Sequence, residues 1–322
     1  MSHYAPVVSA LVSMLLTTII MLGKFGKHIQ DVPNERSLHT TPTPRVGGIG
    51  IMAGLLSGWA LMLTSLKWWV IVPLLLLFIV SLLDDVHNLP VKKRLGAQLV
   101  AALTLVLGSG IVGQQGIAVA LVLALTTVWM TNLYNFMDGS DGFAGGMALI
   151  GFSIYGIAAL DSQHQAFAML NFTIGAASLG FLYNNFPPAK IFMGDAGSIP
   201  LGFLVAAMGL WGWQQGCWPA WFPILVFSPF IVDATVTLTR RSLRKAKVTE
   251  AHREHYYQRL VQSGWSHRKL AMVAYVLMLA AGISALSVRE TLMPWPLLLV
   301  WAAIYTTLML LIDLRWQRTQ RA

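Results

Sequence analysis

The side chains able to do chemistry in this 322-residue chain are mostly acids, gathered in three short stretches. The first reads Ser81-Leu-Leu-Asp84-Asp85-Val-His-Asn88-Leu-Pro90. Adjacent carboxylates repel one another unless they share a cation, and Mg2+ with a phosphate suits such hard oxygen ligands. The second is Asn132-x-x-Asn135-x-x-Asp138-Gly-x-Asp141-Gly142. A polar group at every third residue is expected to line one face of a helix or 3-10 turn. An EF-hand is excluded, because its spacing and terminal Glu are missing. The third is Lys190-Ile-Phe-Met-Gly194-Asp195-Ala-Gly197-Ser198. Backbone N–H groups at the helix start after Gly194 are expected to hold an anion, with Asp195 holding a bridging metal.

Cations and histidines flank these acids. An early loop carries Arg36, His39 and Arg45, fixed by prolines and followed by Gly47-Gly48; it reads as a turn-rich connector with positive-inside charge or as a phosphate contact. A later stretch, His252-Arg253-Glu254-His255-Tyr-Tyr-Gln-Arg259, puts two histidines and an arginine on one helical face, which suits a diphosphate. No zinc-protease pattern is present, and there is a single cysteine, Cys217. Asp233 lies inside an apolar segment, where a carboxylate is a functional candidate by default.

Apolar segments must position all of these. Hydrophobic residues make up 56% of the chain and charged residues 11%, with a mean hydropathy of +0.64. A soluble enzyme, a disordered chain and a disulfide scaffold are excluded. We read eleven spans, near 5–23, 47–66, 68–83, 97–113, 116–133, 144–160, 166–184, 199–215, 219–239, 270–288 and 293–313. The fold expected is an all-α polytopic membrane protein, one domain over residues 1–322. Of 22 Lys and Arg, all but Lys67 and Arg289 fall in one set of alternate loops. The positive-inside rule makes that set cytoplasmic, with the N-terminus outside and the C-terminus inside. Of 13 acids, only Asp161 and Glu290 fall on the outer face. Acids do not orient spans, so their gathering with cations marks a cytoplasmic site. The net charge of +9 reflects this sidedness rather than nucleic-acid binding.

Taken together, Asp84-Asp85, Asn132-x-x-Asn135-x-x-Asp138-Gly-x-Asp141-Gly, Phe192-Met-Gly-Asp195-Ala-Gly-Ser198, Asp31-x-Pro-Asn-x-Arg36 with His39, and His252-x-x-His255 resemble one family. It is the polyprenyl-phosphate N-acetylhexosamine-1-phosphate transferases, glycosyl transferase family 4. The match runs from about residue 31 to 260. The resemblance implies transfer of an amino-sugar 1-phosphate from a UDP-sugar to undecaprenyl phosphate, with release of UMP. It implies Mg2+, with Mn2+ as a substitute, and a site on the cytoplasmic leaflet of a bacterial inner membrane. Carried over by motif, Asp195 ligates the metal with Asp84 or Asp85. Asn132, Asn135, Asp138 and Asp141 bind nucleotide. Phosphates or sugar fall to His39, Arg45, Lys190, Asp233, His252, Arg253, His255 and Arg259.

The peptidoglycan branch carries Lys three residues after the acid pair, where this chain has Asn88, and it carries consecutive histidines, here split as His252 and His255. The chain looks more like the initiators of O-antigen in lipopolysaccharide biosynthesis, whose sugars include N-acetylglucosamine, N-acetylfucosamine and N-acetylquinovosamine. Phospho-N-acetylmuramoyl-pentapeptide transfer is the alternative. Homodimerisation is expected by family analogy only. A transporter or flippase is disfavoured, because only Asp233 lies deep and no repeat is visible.

Overall fold

The computed structural model describes residues 2–23, 29–33, 38, 41–246 and 252–321. Among them the fold is all-α and polytopic, with one two-stranded ribbon. The helices are α1 (Ala5–Leu22), α2 (Gly47–Ala60), α3 (Trp68–His87), α4 (Val91–Gly108), α5 (Ile111–Phe136), α6 (Phe143–Asp161) and α7 (Gln165–Asn185). Then come α8 (Asp195–Gln214), α9 (Trp221–Val226), α10 (Ser228–Leu243), α11 (Tyr256–Gln262), α12 (His267–Ser287) and α13 (Trp295–Arg321). The ribbon pairs β1 (Gln30–Asp31) with β2 (Thr43–Pro44), antiparallel.

Eight of these helices, α1, α3, α5, α6, α7, α8, α12 and α13, are long and apolar enough to cross a membrane. The other three expected spans take different forms. Helix α2 has 14 residues, about 21 Å at 1.5 Å per residue, against a hydrocarbon core of about 30 Å. Helix α4 begins with Lys92, Lys93 and Arg94. The segment near 219–239 is broken at Phe227 into α9 and α10. Pro229 explains the break, because it has no N–H and its ring clashes with the carbonyl four residues earlier.

Helix α1 packs between α2 and α7, α6 against α7 and α12, and α8 against α3 and α5. Helix α13 is mostly exposed and is fastened by polar contacts. Trp301 donates to Ser284 Oγ at 2.9 Å, the Tyr305 and Ser228 hydroxyls meet at 2.6 Å, and Asp313 pairs with Arg240 and Arg259. In the absence of water each such bond satisfies a group that lipid cannot.

The acids sort to the two ends of the bundle as the loops suggest. Asp161 and Glu290, the pair apart from the rest, both meet Arg289, at 2.6 and 3.9 Å. That end is an ion-pair lock between α6 and the turn after α12. The opposite end gathers the C-termini of α3 and α5 with the N-termini of α6, α8 and α12.

Two backbone approaches hold the α8 N-terminus there. Gly47 and Gly48 donate to the Phe192 and Met193 carbonyls at 2.9 and 2.8 Å. A Cβ on Gly48 would overlap the backbone of Ala196 and Gly197. Gly48→Ala is therefore expected to lower stability by about 1–3 kcal/mol, read as a fall in melting temperature of the detergent-purified protein. An unchanged melting temperature would refute this close packing.

Candidate active site

The acid pair closes the last turn of α3, where carboxylates oppose the helix dipole. The structure resolves that conflict by giving Asp85 the start of another helix and Asp84 a loop amide and an arginine. Asp85, 6% exposed, accepts the backbone N–H of Asp195 at 3.2 Å and of Ala196 at 2.9 Å. These are the first two amides of α8. Arg45 adds a contact of 3.5 Å to Asp85 Oδ1 and donates to the Asp85 carbonyl at 3.0 Å. Asp84 accepts the Leu89 N–H at 2.6 Å and Arg94 Nη1 at 2.9 Å. Asn88 makes the first of these reachable: it is the C-cap, left-handed at φ +49°, a conformation Asn tolerates.

Asp195 therefore sits at the first turn of a helix capped by another carboxylate. Its Oδ1 accepts from Asn135 Nδ2 at 2.9 Å, and the same amide reaches Ser198 Oγ at 2.9 Å. Its Oδ2 lies 3.5 Å from Arg94 Nη1. The Asp84 and Asp195 carboxylates thus share one neighbour, Arg94 Nη1, which stands 2.9 Å from Asp84 Oδ2. Gly194 lets Arg45 and Asp85 come close to the start of α8: its φ is +71°, and a Cβ there would stand 2.6 Å from the Arg45 carbonyl and 2.9 Å from Asp85 Oδ2.

A cleft of about 190 Å3 opens beside Asp195. Asp31 and Arg45 line it from the early loop, Asn135, Asp138 and Asp141 from the α5–α6 turn, and His267 from α12. Asp138 differs from its neighbours, since no hydrogen bond or ion pair holds its carboxylate among the described residues. Burial, with Asp195 and Asp85 nearby, pushes its carboxyl well above the usual carboxylate range. An uncompensated acid beside two others is a demand for a cation. No ready-made cage of three or more His, Cys, Asp or Glu exists among the described residues. Mg2+ does not need one, because it binds through one or two carboxylates plus substrate phosphates and water. The donors here fit that mode.

Several expected roles are corrected. The anion at the α8 N-terminus is the protein's own Asp85, so that terminus is already filled. Asn132 points away from the cleft, exchanging hydrogen bonds with Gln98 at 2.6 and 3.3 Å. Three residues turn a helix about 300°, so each step slips by about 60°, and α5 ends at Phe136, before Asp138 and Asp141. Asp141 braces loops, accepting the Ala189 N–H at 2.9 Å. Asp233 repeats the device of Asp85. It accepts the Tyr256 and Tyr257 amides that open α11, both at 3.0 Å, and contacts His255 Nδ1 at 3.2 Å. Arg259 binds Asp313 at 2.6 Å rather than facing the cleft. Lys190 is exposed and does not line the cleft. His39 and Arg36 lie outside the described residues.

The late histidines form a stack beside the cleft rather than part of its lining. His252 and His255 are 5.0 Å apart, and His255 stacks on Phe136 at 6.2 Å. The expected single helical face does not form, because α11 starts only after His255. Arg253 keeps a guanidinium with no protein partner among the described residues. Burial, reinforced by His255 and Arg241, holds His252 down to about 4, so it is neutral at pH 7.

Sequence reasoning missed three residues. Arg94 was only one of many loop cations. Asn185 accepts the Gly142 N–H at 2.9 Å and donates to the Ile191 carbonyl at 2.8 Å, tying two acid-bearing loops together. His267 Nδ1 meets Ser140 Oγ at 2.8 Å, and its Nε2 meets the Leu38 carbonyl at 3.3 Å. Only Arg94 carried a signal, a cation ten residues after Asp84 at the start of an apolar run.

The family model for glycosyl transferase family 4 matches residues 67–212, which hold the acid pair, the α5–α6 turn and Asp195. A decaprenyl-phosphate N-acetylglucosaminephosphotransferase of Mycobacterium tuberculosis H37Rv is 30% identical over 290 residues, 76% of this chain and 72% of that one. The chain belongs to glycosyl transferase family 4. A probable undecaprenyl-phosphate N-acetylglucosaminyl 1-phosphate transferase of Bacillus subtilis 168 is 29% identical over 95% of this chain and 88% of that one. A phospho-N-acetylmuramoyl-pentapeptide-transferase of Lactobacillus helveticus is 27% identical over 87% and 97%.

Within this family-4 site the acids separate into caps and a free group. Asp85→Ala removes two charge-assisted bonds and is expected to cost about 3 kcal/mol of stability. Asp138→Asn removes an unpaired acid, so it is expected to leave the melting temperature unchanged or higher while transfer falls at least about 100-fold. The reverse pattern would exchange their roles. For His252 the unfolded state binds its proton first as pH falls from about 6.5. The stability of wild type relative to His252→Gln should therefore fall between pH 6.5 and 4, and pH-independent differences in melting would refute it.

Proposed function

We propose that the protein transfers an N-acetylaminosugar 1-phosphate from a UDP-sugar to undecaprenyl phosphate, releasing UMP. The observation carrying this reading is the unpaired Asp138 facing Asp195 in a cleft at the acid-rich end of a family-4 membrane bundle. The sidedness of Lys and Arg supports a cytoplasmic cleft in a bacterial inner membrane. Asn88 and the split histidines favour an O-antigen-type initiator over the peptidoglycan enzyme, with N-acetylglucosamine, N-acetylfucosamine or N-acetylquinovosamine as the sugar. A homodimer in the membrane is part of the same reading.

Asp195, Asp84 and Asp138 would hold Mg2+ or Mn2+, whose charge offsets that of the diphosphate. Asp85 takes the supporting role, since its oxygens hold the α8 amides. Asn135 fixes the rotamer of Asp195. Arg45, which is 31% exposed at its side chain, and Arg253 supply positive charge for phosphates. A lipid-phosphate oxygen forms a bond to the phosphorus bearing the sugar. The anhydride bond breaks, and its electron pair leaves with UMP. No base has to create the nucleophile: a phosphate monoester has a second pKa near 6 and is mostly a dianion at pH 7. Bringing that dianion to another anion is the larger barrier, so positioned charge supplies most of the catalysis. This favours a single displacement over the alternative, a covalent aspartyl intermediate.

The deciding measurement is UMP release by purified protein with undecaprenyl phosphate and a panel of UDP-amino-sugars, including the muramoyl-pentapeptide donor. One donor is expected to give lipid-dependent release that EDTA abolishes and Asp195→Asn lowers at least about 100-fold. Folded protein that releases no UMP from any donor would overturn the reading. Release only from the pentapeptide donor would move it to the peptidoglycan branch.

A further inference from the structure

We infer that Arg94 is an exchangeable internal counter-ion, holding the Asp84–Asp195 pair until a divalent cation displaces it and then serving the substrate's phosphates. The inference rests on the metal assignment above and adds a residue that the motifs do not single out. Two carboxylates that converge on one guanidinium nitrogen need its positive charge between them. One atom supplies it: Arg94 Nη1 stands 2.9 Å from Asp84 Oδ2 and 3.5 Å from Asp195 Oδ2. Both are single-nitrogen contacts, not the bidentate fork in which Arg binds a carboxylate most strongly.

The guanidinium is also accessible. The Arg94 side chain is 38% exposed, whereas that of Asp84 is 7% exposed. Arg94 extends from the first turn of α4 on a flexible stem, so it can leave without moving the backbone. The acids cannot follow it. Asp84 is fixed by the Leu89 amide at 2.6 Å, and Asp195 by Asn135 at 2.9 Å. A fixed acid pair with a mobile cation is an ion-exchange site. A divalent ion held by Asp84 and Asp195 would compete with the guanidinium for these two carboxylates. Once displaced, the guanidinium remains within a side chain's reach of a phosphate drawn to that ion, where Arg is a strong ligand. The exchange keeps the acids neutralised in the resting protein and adds a cation to the site only when the substrate's charge arrives.

Competition makes a signed prediction. Mn2+ binding to the detergent-purified full chain, without substrates, can be followed by electron paramagnetic resonance at constant ionic strength. Asp195→Asn defines the background, and thermal melting confirms folding. Arg94→Gln and Arg94→Met are expected to tighten Mn2+ binding about three- to tenfold, because the competing conformation is gone. Both should raise the donor KM about tenfold, because a charged phosphate contact is lost. Arg94→Lys, which restores the charge, should return Mn2+ affinity towards wild type. Opposite movement of the two constants is what a merely structural residue would not produce. Unchanged or weakened Mn2+ binding in the folded neutral variants overturns the counter-ion role and leaves the metal assignment standing. Wild type that binds no more Mn2+ than Asp195→Asn overturns both.

Discussion

The bond between the Asp85 carboxylate and the first two amides of α8 organises the cleft end of this protein. It joins the C-terminus of one helix to the N-terminus of another, so two unfavourable ends become one favourable contact. An acid in the last turn of α3 would otherwise oppose its own dipole. The open amides of α8 would otherwise need water at the edge of a membrane. Because the carboxylate takes both amides, Asp195 is fixed at the start of α8 with its side chain free to meet Asn135 and Arg94. The close crossing of Gly48 over Gly197, and the positive φ of Gly194, follow from the same contact.

The same solution recurs at Asp233 and α11. A carboxylate from an apolar helix again takes the two opening amides of a helix distant in sequence, here the one that follows His255. The protein thus divides its acids. Asp85 and Asp233 are buried and fully engaged, and they place other groups. Asp138 is unengaged among the described residues. Asp84 and Asp195 stand between these extremes, each holding one protein partner firmly and one exchangeable cation jointly. Polar groups near lipid are costly, so each acid is either satisfied by backbone or placed where a charged substrate satisfies it.

The general location of the site was legible in the amino acids. Sidedness of Lys, Arg, Asp and Glu put the chemistry at one end of the bundle, and the structure gathers Asp84, Asp85, Asn135, Asp138, Asp141 and Asp195 there. Division of labour among them was not legible. A capping carboxylate and a substrate-facing one are the same residue type, often in the same motif. Asn132 and Asn135 are three residues apart, yet one braces α4 and the other holds Asp195. Arg259 lay in a motif and proved to tie α11 to Asp313, whereas Arg94 looked like one loop charge among many.

Composition and apolar run length determined the all-α membrane class and most of the spans, charge in each loop marked the end where the acids gather, and short motifs carried the family resemblance. These depend on local quantities: apolar run length, charge in each loop, and residue types in short motifs. Tertiary structure alone decided which acid is a cap, which is paired with arginine and which is free. It also decided that the segment near 219–239 breaks at Phe227, and that the α8 N-terminus is closed by the protein's own carboxylate. The physical reason is distance along the chain. Asp85 and Ala196 are 111 positions apart, and a hydrogen bond between them is written in no local pattern.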